Sequence, residues 1–422
     1  MLKKLLFIFF LALLFATVSV TPVFAGEVDI LIKKLVEKGI LTPSDADEIL
    51  KEVKEAAKQE RAAVVKETAE AIKKDKTIVL TDLPDWIRKT KFKGDFRLRY
   101  QLNDMHARPD RHRGRYRMRL GFVTEVIDKI HVGFGLATGG NNPRSTNQTM
   151  MDSFDTPDCR VDYAYASYTP WDWLTLIGGK FKNPIWRTSG LLWDSDIRPE
   201  GAAAILNYKA GSAVDLFLNT GAWIIDERSG DESDPIMFVA QPGYKLKLGK
   251  SAYFKNAAIM YQFSNVEGNM LDYSSGTNTL TRSGALRNDY DAVGVTGELG
   301  LNTGFDYIPF FALFSEYITN RKASDSDDGY LVGLKFGDKK VKERSQWQFQ
   351  AMYRRLERDA WLDCFPNADV YSGGTNIKGY NAGVKYGLTR NVTFDLNYFY
   401  MKMLTGSSMS DEVLQVDMNF KF

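Results

Sequence analysis

Five arginines recur at every second position in two short stretches of the sequence. The stretches read FRLRY (96–100) and RYRMRL (115–120), and the arginines are Arg97, Arg99, Arg115, Arg117 and Arg119. In an extended chain alternate side chains point to one face, so each stretch would carry a row of guanidinium groups. Like charges on adjacent strands are unfavourable unless water, carboxylates or passing anions screen them. These residues therefore indicate electrostatic chemistry directed at anions.

Other kinds of chemistry find little support in the sequence. It contains no G-x-S-x-G, C-x-x-C or H-E-x-x-H motif, and no paired nucleophile and base can be recognised. The acidic run 325–328 could hold Ca²⁺, although scattered acids are also common in solvated loops. We expect no enzymatic activity, no metal site and no cofactor.

The first 25 residues have the composition of a secretory signal peptide. Lys3 and Lys4 precede the apolar run 5–15, and Val23-Phe24-Ala25 offers small residues for cleavage. Without those two lysines the 55 basic residues become 53, which equals the 53 acidic residues. A net charge near zero gives no global attraction to nucleic acid. Beyond residue 25 no apolar stretch approaches the roughly 18 residues of a membrane-spanning helix.

Residues 26–82 have a helical, Lys/Glu-rich pattern. Thr42 is typical of a helix N-cap, with Pro43 at the first helical position. The apolar stripe that follows is too narrow to bury a core of its own, so the segment could self-associate as a coiled coil or serve as a solvated spacer.

From residue 83 to the end the hydrophobic period changes from 3.6 to 2. We count about 16 alternating segments between Lys91 and Phe422, joined by connections that alternate in length. The long connections are predicted at 139–159, 182–199, 265–288 and 358–376. A soluble sandwich would not show this length bias, whereas an outer-membrane barrel has short turns at one end and long loops at the other. The sequence predicts an all-β fold, a closed transmembrane antiparallel β-barrel with a water-filled lumen.

The last ten residues, VLQVDMNFKF (413–422), form one more alternating strand. Apolar side chains occupy every second place and end with Phe420 and Phe422. We expect this strand to pair with the first strand and close the barrel. A terminal Phe of this kind resembles the signal that the barrel assembly machinery reads in bacterial outer-membrane proteins.

Two stretches carry a family resemblance. GKFKNPIWRTSGLLWDSDIRPEGAA (179–203) and ERDAWLDCFPNADVYSGGTNIKGYNAGVKYGL (357–388) resemble the putative porin family of Gram-negative bacteria, as do the segments 31–50 and 92–100. The resemblance implies a 16-stranded homotrimeric channel surrounded by outer-membrane lipids. It also implies passage of ions and small hydrophilic solutes, with the N-terminal segment in the periplasm.

In porins of this size the loop between strands five and six folds into the lumen. By our count this constriction loop is 182–199, and with its exit it carries the charged residues Arg187, Asp194, Asp196, Arg198 and Glu200. The arginine rows facing these acids would create a transverse field across the pore. The alternative is that Asp95 and the loop carboxylates neutralise the arginines, which then only brace the wall.

Three functions stay open from the sequence. The first is a diffusion channel, the second is a substrate-specific uptake channel for anions such as phosphate, and the third is an adhesive or structural protein with a blocked lumen. Cys159 and Cys364 both fall in predicted long loops, and we hypothesise that they form a disulfide.

Overall fold

The computed structural model describes residues 84–422, except 106–108, 231–232 and 407–408, together with scattered positions between 34 and 51. The chain divides into two units, Met1–Pro84 and Asp85–Phe422. The predicted signal peptide (1–25) and most of the predicted helical segment (26–82) lie outside the described residues.

The described part of the first unit contains the predicted helix start. The N–H of Asp45 donates to Thr42 Oγ1 over 3.3 Å, and the N–H of Thr42 donates to Asp45 Oδ2 over 3.2 Å. This reciprocal pair is a capping box, which satisfies two backbone donors that the helix leaves unpaired. The predicted N-cap at Thr42 is confirmed.

The second unit begins with the short helix α1 (Asp85–Arg88) and continues as strands. The strands are β1 (Lys91–Met105), β2 (Arg111–Ile127), β3 (Ile130–Ala137), β4 (Gln148–Thr149), β5 (Arg160–Trp171), β6 (Leu174–Lys180), β7 (Glu200–Ala210), β8 (Val214–Ile224), β9 (Ile236–Leu248), β10 (Ala252–Ser264), β11 (Asp291–Asn302), β12 (Phe310–Asn320), β13 (Asp328–Gly337), β14 (Trp347–Leu356), β15 (Ile377–Thr389), β16 (Val392–Met403) and β17 (Ser410–Lys421). All except the two-residue β4 form the wall, each antiparallel to its neighbours in chain order. The predicted 16-stranded barrel is confirmed.

The wall closes where β17 pairs with β1. In this seam Arg99 lies opposite Asp417, and Leu98 lies opposite Met418. The N–H of Gly94 donates to the Phe422 carbonyl over 2.8 Å, and the N–H of Phe422 donates back over 3.1 Å. A Cβ on Gly94 would lie 2.3 Å from the Phe422 ring, so a larger residue there would displace this ring. The predicted closure is confirmed.

The outer surface of the wall is apolar. Large aliphatic side chains at the outward positions are exposed: Leu120, Val132, Leu136, Leu176, Leu216, Leu299, Leu313, Val332, Val384 and Leu396. Trp171 and Trp173 stack at 5.3 Å beside the turn between β5 and β6. An apolar band with aromatic residues at its margin matches the surface that a barrel presents to lipid. No helix in the described part of the chain has the length and apolar character needed to cross a membrane.

The connections differ in length between the two ends of the barrel. At the end where β1 begins and β17 finishes, the turns 128–129, 172–173, 211–213, 249–251 and 390–391 are tight. At the other end lie the long loops 138–159, 181–199, 265–290 and 357–376. The predicted bias is therefore present, although 303–309 and 338–346 at the first end are longer than a tight turn. We call the two ends the short-turn end and the long-loop end.

The four long loops pack together inside the wall, and we name them the loop body. Its centre holds Trp361, which is fully buried and donates from Nε1 to the Leu192 carbonyl over 2.9 Å. Trp193 stacks on Phe365 at 4.7 Å and donates to Tyr261 Oη over 3.0 Å. Part of the lumen is thus filled with apolar side chains, because inward aromatic residues of the wall meet apolar residues of the loops.

Candidate functional site in the lumen

The arginine wall comprises six lumen-facing residues of β1 and β2: Arg97, Arg99, Arg113, Arg115, Arg117 and Arg119. The register sets Arg97 opposite Arg117 and Arg99 opposite Arg115. The intervening side chains face outward, as the exposed Leu120 shows. The alternation of the strands therefore places these arginines inward. The opposite orientation would be unfavourable, because a guanidinium group in hydrocarbon near the bilayer midplane costs about 2–4 kcal/mol.

Arg99 is the most fully paired of these arginines. Its Nε and Nη2 lie 2.7 and 2.8 Å from the two carboxylate oxygens of Asp417 on β17. Its Nη1 lies 3.0 Å from Asp369 Oδ2 in the loop body. Burial would raise the pKa of Asp369, but the adjacent Arg99 guanidinium outweighs burial and lowers this pKa to about 2. This cluster ties the seam of the barrel to the loop body.

Arg117 and Arg119 share a single carboxylate. Arg117 Nε lies 2.9 Å from Asp95 Oδ1, and Arg119 Nε lies 2.8 Å from Asp95 Oδ2. Arg119 Nη1 also lies 3.4 Å from Asp196 Oδ1. Arg117 and Arg119 are therefore neutralised by Asp95 and by the loop carboxylate Asp196, as one of the two hypotheses from the sequence proposes.

The remaining three arginines depend on neutral partners. Arg115 donates to Gln101 Oε1 over 3.1 Å, Arg113 donates to Asn103 Oδ1 over 2.7 Å, and Arg97 donates to Asn147. Among the residues that the structure describes, Arg97 is the one of the three with a carboxylate at ion-pair distance, Asp417 at 3.8 Å. Within the described residues, the Nε atoms of all three have no hydrogen-bond partner. The wall therefore carries positive charge in excess of its local acids.

The two acids of the constriction loop are buried in the loop body. Asp196 Oδ2 accepts from the N–H and Oγ1 of Thr146 over 2.9 and 2.7 Å. Asp194 accepts from the N–H groups of Asp196 and Ala368 over 2.8 and 2.9 Å. Burial and the adjacent Asp196 charge raise the pKa of Asp194 to about 7. Burial also acts on Asp196, but Arg119 and Arg117 outweigh it and lower its pKa.

The other charged residues predicted for this loop lie apart from one another. Arg187 donates to the carbonyl of Trp193 over 3.0 Å, and Arg198 forms an ion pair with Asp162 at 3.3 Å. Glu200 is exposed and pairs with Lys180 on the neighbouring strand. Because the buried Ala203 points inward, the strand alternation turns Glu200 outward. The prediction that Glu200 belongs to the constriction is therefore not supported by its position.

Sequence reasoning missed several partners in this site. Asp417 could have been found, because it alternates with outward residues of the final strand and barrel closure brings that strand to β1. Thr146 and Asp369 belong to long loops, whose positions no local pattern predicts. Arg113 lies in the same alternating row as Arg115 and should have been included.

The hypothesised disulfide finds no support in the structure, and the acidic run that could hold Ca²⁺ lies close to a further carboxylate. Cys159 is exposed and Cys364 is buried in the loop body, and both are unpaired, so the disulfide hypothesis is wrong. Asp327 and Asp328 of the acidic run approach Glu357. Two of these carboxylates already accept hydrogen bonds from protein side chains, Asp328 from Tyr317 and Glu357 from Arg355.

The barrel and its lumen match a known family. The model of the family described as Putative porin matches residues 103–292 and 279–422. The chain belongs to the putative porin family. It is an outer-membrane channel for the passive diffusion of solutes. A search of curated proteins finds no match.

Solved porin structures are similar to this chain at low sequence identity. OprB of Pseudomonas putida, solved at high pH, is 11% identical, has a TM-score of 0.52, and is matched over 80% of this chain and 95% of that chain. A triple mutant of Rhodopseudomonas blastica porin is 11% identical with a TM-score of 0.43, over 79% of this chain and 100% of that one. OmpF of Salmonella typhi in complex with daunomycin is 10% identical with a TM-score of 0.49, over 79% and 97%. At these identities the OprB match supports the shared fold alone.

Proposed function

We propose that this porin is a narrow channel that favours anions among the small hydrophilic solutes it passes. The observation that carries the proposal is the arginine wall, in which Arg97, Arg113 and Arg115 face the lumen with neutral hydrogen-bond partners. A charge without a bound counterion raises the local concentration of mobile counterions, and screening limits this effect to about 8 Å at physiological salt.

The width of the channel is reduced by the loop body. The constriction loop reaches the wall at mid-lumen, where the N–H of Trp186 donates to Gln241 Oε1 over 2.8 Å and Glu316 accepts from the N–H of Thr188 over 2.6 Å. Arg144 links the loops further, since it donates to the carbonyls of Tyr273, Asp363 and Gly373, each over 2.9 Å. Solutes then pass beside a packed obstacle rather than through an open cylinder.

The experiment is single-channel recording of the purified full chain in planar bilayers under a KCl gradient. We expect ohmic steps and a reversal potential on the anion side of zero. Conductance that saturates with one anion, phosphate for example, would favour the substrate-specific alternative, in which an anion binds along the arginine wall. Silence at all voltages would favour the structural or adhesive alternative with a blocked lumen.

The environment of the channel forms the second part of the proposal. Residues 1–25 act as a signal peptide, 26–82 lie in the periplasm, and 83–422 form the outer-membrane barrel as a homotrimer. Phe420 and Phe422 form the signal for the barrel assembly machinery. The family membership and the lipid-compatible outer surface support this arrangement. Protease protection in intact and permeabilised cells, with crosslinking of the native protein, tests topology and trimer formation.

A further inference from the structure

A second group of charges lines the lumen away from the arginine wall. Four lysines, here the lysine cluster, lie towards the short-turn end of β9, β10 and β13 and in the following turn: Lys245, Lys255, Lys335 and Lys339. In the order of the strands, β9 to β13 lie on the far side of the ring from β1 and β2. The cluster is therefore separate from the arginine wall.

Aromatic rings rather than acids surround these ammonium groups. Lys255 Nζ lies 4.1 Å from the centre of the Trp186 ring and 4.7 Å from that of Phe217. Lys245 and Lys339 lie 4.5 and 4.7 Å from the centre of the Tyr253 ring. Contacts of this kind hold a cation in place and leave its charge uncompensated.

Glu298 supplies the carboxylate that pairs with the lysine cluster. Glu298 accepts from Lys335 and from the Tyr253 hydroxyl, both over 2.5 Å. In the described part of the chain, no carboxylate lies within ion-pair distance of Lys245, Lys255 or Lys339.

The cluster holds like charges close together. The register sets Lys245 directly opposite Lys255, a cross-strand arrangement that is unfavourable without an anion. Burial and the neighbouring Lys245 lower the pKa of Lys339, which is the effect of crowded cations. The lysine cluster therefore has an excess of about three positive charges, which favours the binding of an anion between the ammonium groups.

The surface beside the ammonium groups of the lysine cluster is formed by flat, apolar aromatic rings. The rings of Trp186, Phe217 and Tyr253 are only half-buried, so they offer surface to a solute beside the ammonium groups. A strongly hydrated inorganic anion would gain nothing from these rings, whereas an anion with an aromatic body would bury apolar area against them. We propose that the lysine cluster binds organic carboxylates that carry an aromatic ring, within the channel proposed above.

The test uses benzoate as the probe, with acetate, inorganic phosphate and benzyl alcohol as comparisons. Isothermal titration of the detergent-solubilised full chain measures binding without any need for conduction. We expect benzoate to bind at least tenfold more tightly than acetate or phosphate, and benzyl alcohol to bind at least tenfold more weakly than benzoate. In bilayers, benzoate added at the short-turn side should reduce the KCl current more than benzoate added at the other side.

Four variants separate the effects of charge and of the aromatic ring from unspecific effects. The triple variant K245Q/K255Q/K339Q should weaken benzoate binding at least tenfold, and Y253L should weaken it more than Y253F, which keeps the ring. K385Q is the matched control, because Lys385 also faces the lumen on β15 but pairs with Asp395 at 3.0 Å. Its benzoate affinity should stay within twofold of the parent. Heat-modifiable mobility on gels confirms that each variant is folded.

The outcomes that overturn the inference are distinct from those that overturn the channel. Equal affinity for benzoate and phosphate would mean that the site recognises charge and not the aromatic ring. If K385Q and the triple variant lose the same amount of benzoate affinity, the lysine cluster is not the binding site. Benzoate binding without any KCl conductance would refute the proposed anion-favouring channel, but the benzoate site would still stand. Conductance without benzoate binding would refute the proposed benzoate site, but the proposed channel would still stand.

Discussion

Residues of one type play different parts in the arginine wall. Arg99 has two carboxylates within 3.0 Å, whereas Arg115 has only neutral acceptors. Removing one member of a buried ion pair leaves the other charge uncompensated and typically costs about 3–5 kcal/mol. Removing a cation without an ionic partner leaves no such charge behind. Stability and selectivity should therefore depend on different arginines.

A pair of substitutions tests this division. Arg115→Gln should move the reversal potential in a KCl gradient toward cations and change the unfolding midpoint little. Arg99→Gln should lower the free energy of unfolding by about 3 kcal/mol, because Asp369 loses its ion pair and Asp417 keeps only the longer contact with Arg97 at 3.8 Å. Denaturant titration of the detergent-solubilised barrel and bilayer recording give both quantities. If Arg115→Gln leaves the reversal potential at its parent value, the excess charge of the wall does not reach the conduction path.

Asp194 makes the loop body sensitive to pH. Its folded-state pKa of about 7 lies above the ordinary value of 3.8, so the folded protein binds this proton more tightly than the unfolded chain. The stability from protonation is fully present below about pH 4 and is lost as pH rises through 7. Asp196 has the opposite sign: its lowered pKa contributes stability above its ordinary value of 3.8, and this stability is lost at lower pH.

We expect limited proteolysis of the loop body to be slower at pH 5 than at pH 8. Asp194→Asn should reduce this difference between pH 5 and pH 8, because the amide cannot ionise and still accepts one hydrogen bond. The control is Asp172→Asn, in the turn between β5 and β6. An unchanged pH profile in Asp194→Asn would assign the dependence to another group.

At the scale of elements, the sequence predicts strands better than loops. The parity of β1, β2 and β17 follows from local alternation, and closure then brings Asp417 beside Arg99. The bounds of the constriction loop are also close to those predicted, because the strands on either side end where alternation ends. Its contacts are not predictable in this way: Asp196 meets Thr146, 50 residues away, and Asp194 meets Ala368, 174 residues away. Such contacts depend on the packing of the whole loop body.

The loop body should limit conductance. Trp361 is fully buried at its centre, and loss of such a side chain typically costs about 3–5 kcal/mol through the cavity that is left. Trp361→Ala should therefore loosen the loops and raise the single-channel conductance and its noise. Trp171→Ala is the matched control, because Trp171 is exposed on the outer surface and stacks on Trp173, outside the loop body. Equal conductance in Trp361→Ala and the parent would mean that solutes do not pass beside this part of the loop body.

At the scale of the whole molecule, the outer surface was predictable and the lumen was only partly so. Every second residue of the wall must suit lipid, and this requirement is visible in the sequence as exposed aliphatic positions such as Leu313 and Val332. Inward residues obey no single rule, since Arg99, Tyr261 and Phe314 all face inward. Alternation alone thus predicts a barrel but cannot show that apolar inward residues and loops combine to fill part of it.

The seam of the barrel gives a last prediction about assembly. Phe422 is largely exposed, so its ring contributes little to the stability of the finished wall, although its backbone pairs with Gly94. If the assembly machinery reads this residue, Phe422→Asp should reduce the heat-modifiable protein in the outer-membrane fraction several-fold. The unfolding midpoint of the same variant, refolded in detergent, should change little.

Phe92→Asp is the control for Phe422→Asp, because Phe92 is an exposed aromatic on β1 close to the same end of the barrel. A charge there disturbs the interface with lipid to a similar degree but leaves the final residue unchanged. We expect Phe92→Asp to assemble better than Phe422→Asp, since lipid-facing charges near the interface cost only about 0–1 kcal/mol. Equal loss of assembly in the two variants would mean that the aromatic margin of the barrel, rather than a terminal signal, determines its insertion.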